Sequence, residues 1–161
     1  MASDIFAKIG DIKGESADDK HKDEIDVLSF SWGVAQTGTL AHGGGGGEGK
    51  AQFNDFNFSS HVSKASPSLF LACASGQHIK DATITVRKAG KGQQEYLILK
   101  MTDVLISSYQ TGGSGQSESV PVDQVSMAFA KIEFTYKPQN EDGSLDAGIT
   151  SGWDLKANKK V

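Results

Sequence analysis

Residues 24–50 read EIDVLSFSWGVAQTGTLAHGGGGGEGK, and this stretch decides the fold. Its first half alternates between apolar and small polar residues, and its second half contains five consecutive glycines. A period of two is typical of a half-buried β-strand, whereas each glycine in a run loses the most backbone freedom on ordering. We therefore predict that a strand leads directly into a long flexible loop at about residues 38–50.

The alternation assigns the two sides of that strand. Leu28, Phe30 and Trp32 lie on one side, which we predict to be buried. Ser29 and Ser31 lie on the other side, which is small and polar. This second side faces either water or something that passes close to the strand.

Most of the remaining chain also has the alternation of β-strands. Further strands are predicted at about residues 5–9, 53–58, 82–87, 96–108, 125–136 and 149–155. The apolar alternation changes phase between Met101 and Val104 and again between Phe129 and Ile132. Such a change exchanges the buried side of a strand, as at a bulge or at the corner of a barrel. The pattern predicts a mainly β fold, a small antiparallel β-barrel or two-sheet domain.

One short helix interrupts the strands. Ser66 is a suitable N-cap, and Pro67 stands where a missing N–H costs nothing. The apolar run LFLACA follows at residues 69–74, and Gly76 is a suitable stop in the left-handed conformation.

Composition restricts the function. A chain of 161 residues suits one domain, and no stretch is apolar enough to insert in a membrane. The net charge of -4, with no cluster of Lys and Arg, argues against nucleic-acid binding. The mixed charges at residues 18–24 predict a solvated turn. Cys73 is the single cysteine, so no internal disulfide forms.

The first residues lack the pattern of a secretory signal, so we expect synthesis and folding in the cytoplasm. Export, if it occurs, uses a route that does not read a cleaved N-terminal signal.

A search for catalytic or cofactor-binding motifs indicates a protein that is not an enzyme. GGGGEGK at residues 44–50 comes close to a phosphate-binding loop, but Ala51 follows the lysine and a strand pattern follows in place of a helix. His21, His42, His61 and His78 have no metal-ligand spacing. We expect no cofactor, no metal and no catalytic residue, and we interpret Cys73 as packed and inert.

Several short segments resemble one family, in one order along nearly the whole chain and without a large insertion. They are KIGDIKGES at 8–16, EIDVL at 24–28, SWG at 31–33, the loop at 43–50, ACASG at 72–76, VRKAG at 86–90, EYLI at 95–98, TGGSG at 111–115 and GW at 152–153. The chain resembles the Hcp (haemolysin-coregulated protein) tube subunits of type VI secretion systems.

That resemblance implies a structural role. Hcp subunits form hexameric rings with an open channel, and the rings stack into a tube that carries a spike protein at its tip. A contractile sheath drives the tube out of the bacterium, and small effector proteins occupy the channel. The implied fold is a β-barrel with one helix, related to phage tail-tube proteins, over a single domain at 1–161 with a short C-terminal tail at 156–161. The implied location is the bacterial cytoplasm, then the medium.

Two hypotheses about residues follow from the resemblance. Ser29 and Ser31 are expected to face the channel, where small polar side chains neither narrow it nor retain cargo; the alternative is an ordinary solvent-facing strand. The glycine-rich loop is expected to contact the next ring; the alternative is a loop without contacts. Its residues are Gly43, Gly44, Gly45, Gly46, Gly47, Glu48, Gly49 and Lys50.

Three other classes of protein stay open. A phage-type tail tube protein would be mechanically almost the same. A carbohydrate-binding or adhesive β module would need exposed aromatic side chains, but alternation buries Trp32 and leaves Trp153 ambiguous. An enzyme fused to a tube domain would need more chain than residues 156–161 supply.

Overall fold

The structure is a computed structural model that describes residues 3–36, 50–89, 92–116 and 118–161. Its elements are β1 Ser3–Ile9, β2 Ile25–Asp26, β3 Ser29–Ser31, β4 Val34–Ala35, β5 Gln52–Phe53, β6 Phe56–His61, α1 Ala65–Ser75, β7 His78–Lys88, β8 Glu95–Gly112, β9 Val122–Tyr136, β10 Ile149–Asp154 and β11 Lys159–Lys160. The prediction of a mainly β protein with one short helix is confirmed.

One antiparallel sheet contains nine of the strands. Its order is β11-β10-β9-β8-β7-β1-β2, and β6 and β3 extend it beside β9. Two strands share the side of β9 that faces away from β8: residues 122–127 pair with β6, and residues 131–136 pair with β10. β4 and β5 form a separate two-stranded sheet. The predicted closed barrel is wrong, since the sheets are not closed.

The chain that joins β2 to β3 runs from one edge of the sheet to another. The N–H of Val27 donates to the carbonyl of Ile5 in β1 at 2.9 Å, and the next N–H, of Leu28, donates to the carbonyl of Ser59 in β6 at 2.8 Å. This change of partner also turns the side chains, so that Val27 is buried and Leu28 is 49% exposed. The prediction of one continuous strand with Leu28 on its buried side is therefore wrong.

The two aromatic residues predicted on that side pack at the border of the core. Phe30 stacks on Phe56 with ring centroids 5.6 Å apart, and Trp32 tilts against Phe134 at 5.8 Å. Both Phe30 and Trp32 are half-buried. Their burial is thus confirmed only in part.

The predicted phase changes belong to three neighbouring strands at the same level of the sheet. Two rows of residues that pair across these strands are both buried, although an odd spacing of three positions along each strand would put them on opposite sides of a flat sheet. One row is Ile79, Val104 and Phe129, and the other is Ala82, Met101 and Ile132. The register does not shift between the rows, so the ladder coils as a unit and forms a corner. Asp103 lies between the rows with φ of 55°.

The concave side of this coil and α1 enclose the core. The largest fully buried apolar side chains are Phe56, Ile9, Leu69, Ile84, Leu99, Met101, Ile106, Met127, Val104 and Val125. Cys73 is partly buried and packs against this cluster, as a structural cysteine does.

Helix α1 is attached to β8 and β9 by a buried carboxylate. Asp123, 1% exposed, accepts hydrogen bonds from the Ser66 hydroxyl at 2.5 Å and the Tyr109 hydroxyl at 2.7 Å. Burial, followed by the hydrogen bond to Asp123, raises the pKa of Tyr109. The predicted N-cap at Ser66 is wrong because the helix begins at Ala65. The predicted stop at Gly76 is confirmed, since it adopts φ of 66°.

The residues after the last predicted strand also pair. Trp153 and Asp154 of β10 pair with Lys160 and Lys159 of β11. The short tail predicted at 156–161 is therefore a turn and a strand.

The mixed-charge residues 18–24 pack against the sheet. Asp18 accepts two hydrogen bonds from the guanidinium of Arg87, whose side chain is only 4% exposed. His21 is also buried. Gly14 permits the approach, because a Cβ there would lie 2.4 Å from the carbonyl oxygen of Glu24. The prediction of a solvated turn is confirmed only in part, because Asp19, Lys20 and Lys22 are exposed whereas the other four residues are half-buried or buried.

We predict that Ser66→Ala lowers the free energy of unfolding by about 1–3 kcal/mol, because Asp123 loses one of its two buried donors. Denaturant unfolding measures the change. Ser68→Ala, on the exposed side of the same helix, is the matched control and should change stability little. Equal effects of the two variants would contradict a role for the buried bond.

We also predict that Asp18→Asn destabilises the protein at neutral pH but not in acid. The hydrogen bond from Arg87 holds the pKa of the Asp18 carboxyl below its usual range. Such a group contributes stability above its unfolded pKa of about 4, and the contribution is lost as the pH falls through the folded pKa. Thermal unfolding at several pH values measures the difference. The exposed neighbour provides the control Asp19→Asn, and a pH-independent difference for Asp18→Asn would contradict the linkage.

Candidate functional site

A neutral polar face covers the outer side of four strands where β6 joins the sheet. Two rows of paired residues form it: Ser29, Ser59, Gln124 and Gln110, and Ser31, Asn57, Ser126 and Ser108. All eight line one shallow depression of about 520 Å³. We call these eight residues the polar face.

Local alternation explains why this face is polar. The side chains between those of the polar face point to the core: Phe58 and Val125 are 3% exposed or less, and Phe30 and Tyr109 are half-buried against the core. The polar face itself is held by hydrogen bonds between strands. The hydroxyls of Ser29 and Ser59 are 2.6 Å apart, and the hydroxyl of Ser126 in β9 donates to Oδ1 of Asn57 in β6 at 2.5 Å.

The chemistry of the polar face is that of hydroxyls and amides. These groups donate and accept hydrogen bonds but carry no charge, so they hold water or neutral polar groups and attract neither anions nor cations. The two serines predicted from sequence, Ser29 and Ser31, lie in β3 at the edge of this face. That they face a channel stays a prediction.

The other six residues of the polar face were missed by sequence reasoning. Asn57 and Ser59 alternate with the buried Phe56 and Phe58, so this signal was present in the sequence. The pairing of β6 with β9 was not, because its partners lie more than sixty positions apart along the chain.

A second surface, the apolar patch, lies where β9 pairs with β10. Phe134, Tyr136 and Ile149 are 38%, 46% and 67% exposed. Ile149 pairs with Tyr136, which in turn pairs with the half-buried Leu97. Phe134 and Tyr136 continue the buried phase of Ile132, but nothing in the described part of the chain covers them fully.

The predicted loop is mostly beyond the described residues. Gly43, Gly44, Gly45, Gly46, Gly47, Glu48 and Gly49 lie outside them, and so does His42. Lys50 is described and exposed. The strand β5 follows it, which agrees with the interpretation that this segment is not a phosphate-binding loop. Contact with the next ring stays a prediction.

The histidines that the structure describes lie apart. His61 is exposed, and His78 forms an exposed pair with Asp103. Within the described ranges, no three His, Cys, Asp or Glu side chains meet in a way that could hold a metal ion. Across the same ranges, the structure contains no helix that is long and apolar enough to span a bilayer.

The fold and the polar face together define a mainly antiparallel β protein whose distinctive surface is an uncharged sheet rather than a cleft. Comparison with known proteins agrees with this class. Residues 6–136 match the family described as "Type VI secretion system effector, Hcp". The chain is 46% identical over 160 residues to "Protein hcp1" of Pseudomonas aeruginosa, covering 98% of each.

Solved structures of similar sequence have the same fold. Hcp1 from Salmonella typhimurium is 37% identical, is covered completely in both chains and superposes with a TM-score of 0.82. A structure described as a type six secretion system protein is 31% identical with a TM-score of 0.93, covering 99% of this chain and 100% of that one. The chain belongs to the Hcp family of type VI secretion systems, a family of structural, secreted tube proteins.

Proposed function

We propose that this chain is the repeating subunit of a secreted tube, built from hexameric rings with an open channel. The observation that supports the proposal best is the polar face. A channel through which proteins move needs a wall that stays wetted and that retains neither charged nor apolar surfaces. Eight uncharged hydroxyl and amide side chains in two rows fit that requirement, with Ser29 and Ser31 among those that face the channel.

The apolar patch supports a contact between identical subunits. Three large apolar side chains that are 38–67% exposed on one strand pair favour burial against another chain. The sheet also has free edges, and an edge offers unpaired N–H and C=O groups to a neighbour. A closed ring of identical contacts can use both features without growing into an open filament.

The remaining parts of the proposal come from family membership. The rings would stack through the segment from Gly43 to Lys50, carry a spike protein at the tip and be driven by a contractile sheath. Small effector proteins would travel in the channel. The whole chain would act as one tube domain, made in the bacterial cytoplasm and secreted without a cleaved signal.

We predict a native mass near six times 17.1 kDa by light scattering, and a loss of rings in Ile149→Lys. Ile149 is 67% exposed in the single chain, and losing its burial in the proposed subunit contact costs about 1.5–3 kcal/mol at each contact. Thr150→Lys is the matched control, because Thr150 is exposed on the other side of the same strand and should leave the mass unchanged. A monomer in the parent protein at micromolar concentration would contradict the ring.

We predict that Ser31→Trp leaves rings intact but narrows their channel and reduces retention of small secreted proteins. An indole in place of each hydroxyl occupies space in the channel, so that small proteins are excluded by their size. Electron microscopy of purified rings locates the added density, and cargo retention is compared with Ser68→Trp on the exposed side of α1. Unchanged cargo retention in intact rings, or density outside the channel, would refute the assignment of Ser31.

A further inference from the structure

His21 lies in a buried stack that no part of the proposed tube function uses. Its side chain is 9% exposed, and its ring stacks on Phe6 with centroids 4.4 Å apart and an interplanar angle of 8°. The guanidinium of Arg87 also lies over the Phe6 ring, 4.8 Å from its centroid. The stack joins the loop at residues 13–24 to β1 and β7.

Both nitrogens of the His21 ring face a carboxylate. Nδ1 is 2.9 Å from Glu24, and Nε2 is 2.7 Å from Glu95 of β8. An ionised carboxylate only accepts hydrogen bonds, whereas a neutral imidazole donates from one nitrogen and accepts at the other. With both carboxylates ionised, both bonds form together only when both ring nitrogens carry a proton, so this geometry favours the charged ring.

The other charged groups around the stack favour a positive ring. Arg87 contacts Asp18 from the loop and Asp4 from β1. The pKa of Asp26 in β2 is raised by the partial burial of its carboxyl and, to a smaller extent, by the charges of Asp4 and Asp18. With the two partners of His21, five carboxyls from four parts of the chain surround one arginine and one histidine. A positive ring reduces this excess of negative charge.

We propose that His21 is a proton-controlled latch, whose doubly protonated ring holds the loop at 13–24 on the sheet and whose loss of one ring proton releases it. After that loss, a lone pair on the ring faces a carboxylate oxygen at less than 3 Å in a site with little water. One of the two bonds is lost, and the remaining contact is repulsive. Release uncovers Phe6, which is otherwise 4% exposed.

Backbone hydrogen bonds in the loop report whether the latch is closed. The N–H of Gly14 donates to Asp23 at 2.7 Å, that of Asp23 to Ser16 at 2.9 Å, and that of Ser16 to Glu24 at 3.0 Å. Their hydrogen-exchange protection factors should be high while the ring is doubly protonated and should fall with its deprotonation. Protection of the amide of Leu155, which donates to the carbonyl of Ala130 in β9 at 2.8 Å, should not follow the ring.

The experiment follows the intact protein labelled with ¹⁵N in its histidines, from about pH 5 to about pH 9, where histidine titrates. The expected result is that protection of the three amides falls about tenfold when one proton leaves the His21 ring. Full protection of the three amides while one ring nitrogen is unprotonated would overturn the proposal. So would protection factors that stay constant over the whole range.

His21→Gln tests the same latch by substitution. Gln can donate to one carboxylate but cannot become charged, so the three loop amides should lose about tenfold of their protection at neutral pH and should lose its pH dependence. His78→Gln is the matched control, since His78 also pairs with a carboxylate but is 68% exposed. A retained pH dependence in His21→Gln would overturn the proposal, and if this variant does not fold, the titration of the parent protein decides alone.

Discussion

Three neighbouring strands change their buried side at one level of the sheet, and the surfaces of the protein depend on this corner. Because β7, β8 and β9 coil together, their register is kept while the side chains on both sides of the corner enter one core. A flat ladder with the same sequence would place Met101 and Val104 on opposite sides, so one of the two rows of apolar residues would be exposed to water.

The corner also determines what each end of β9 presents. At one end the strand pairs with β6, and the residues between its buried side chains belong to the polar face, as Gln124 and Ser126 do. At the other end β9 pairs with β10. There Phe134 and Tyr136 lie on the same side of the strand as the buried Ile132, but beyond the core, so they are partly exposed. One strand thus connects an uncharged surface suited to a channel wall with an apolar surface suited to a subunit contact.

The few buried charged side chains lie at specific points, where they attach irregular or helical segments to the sheet. Asp123 holds α1 through two hydroxyl donors, and Arg87 with His21 holds the loop at 13–24 through carboxylates. In each case a buried charged group has the hydrogen-bond partners that it needs, which is the condition for burying it at all.

The sequence by itself determined the local features: the strands, the single helix with its stop at Gly76, the phase changes and the polar character of Ser29 and Ser31. These depend on alternation and on backbone preferences, which act over a few residues. Only the tertiary structure decided that Leu28 is exposed, that the sheet stays open and that Asp18 and His21 of the mixed-charge segment pack against the sheet. Each of those outcomes depends on which distant strand supplies the hydrogen-bond partner or the covering surface, and alternation carries no information about partners far along the chain.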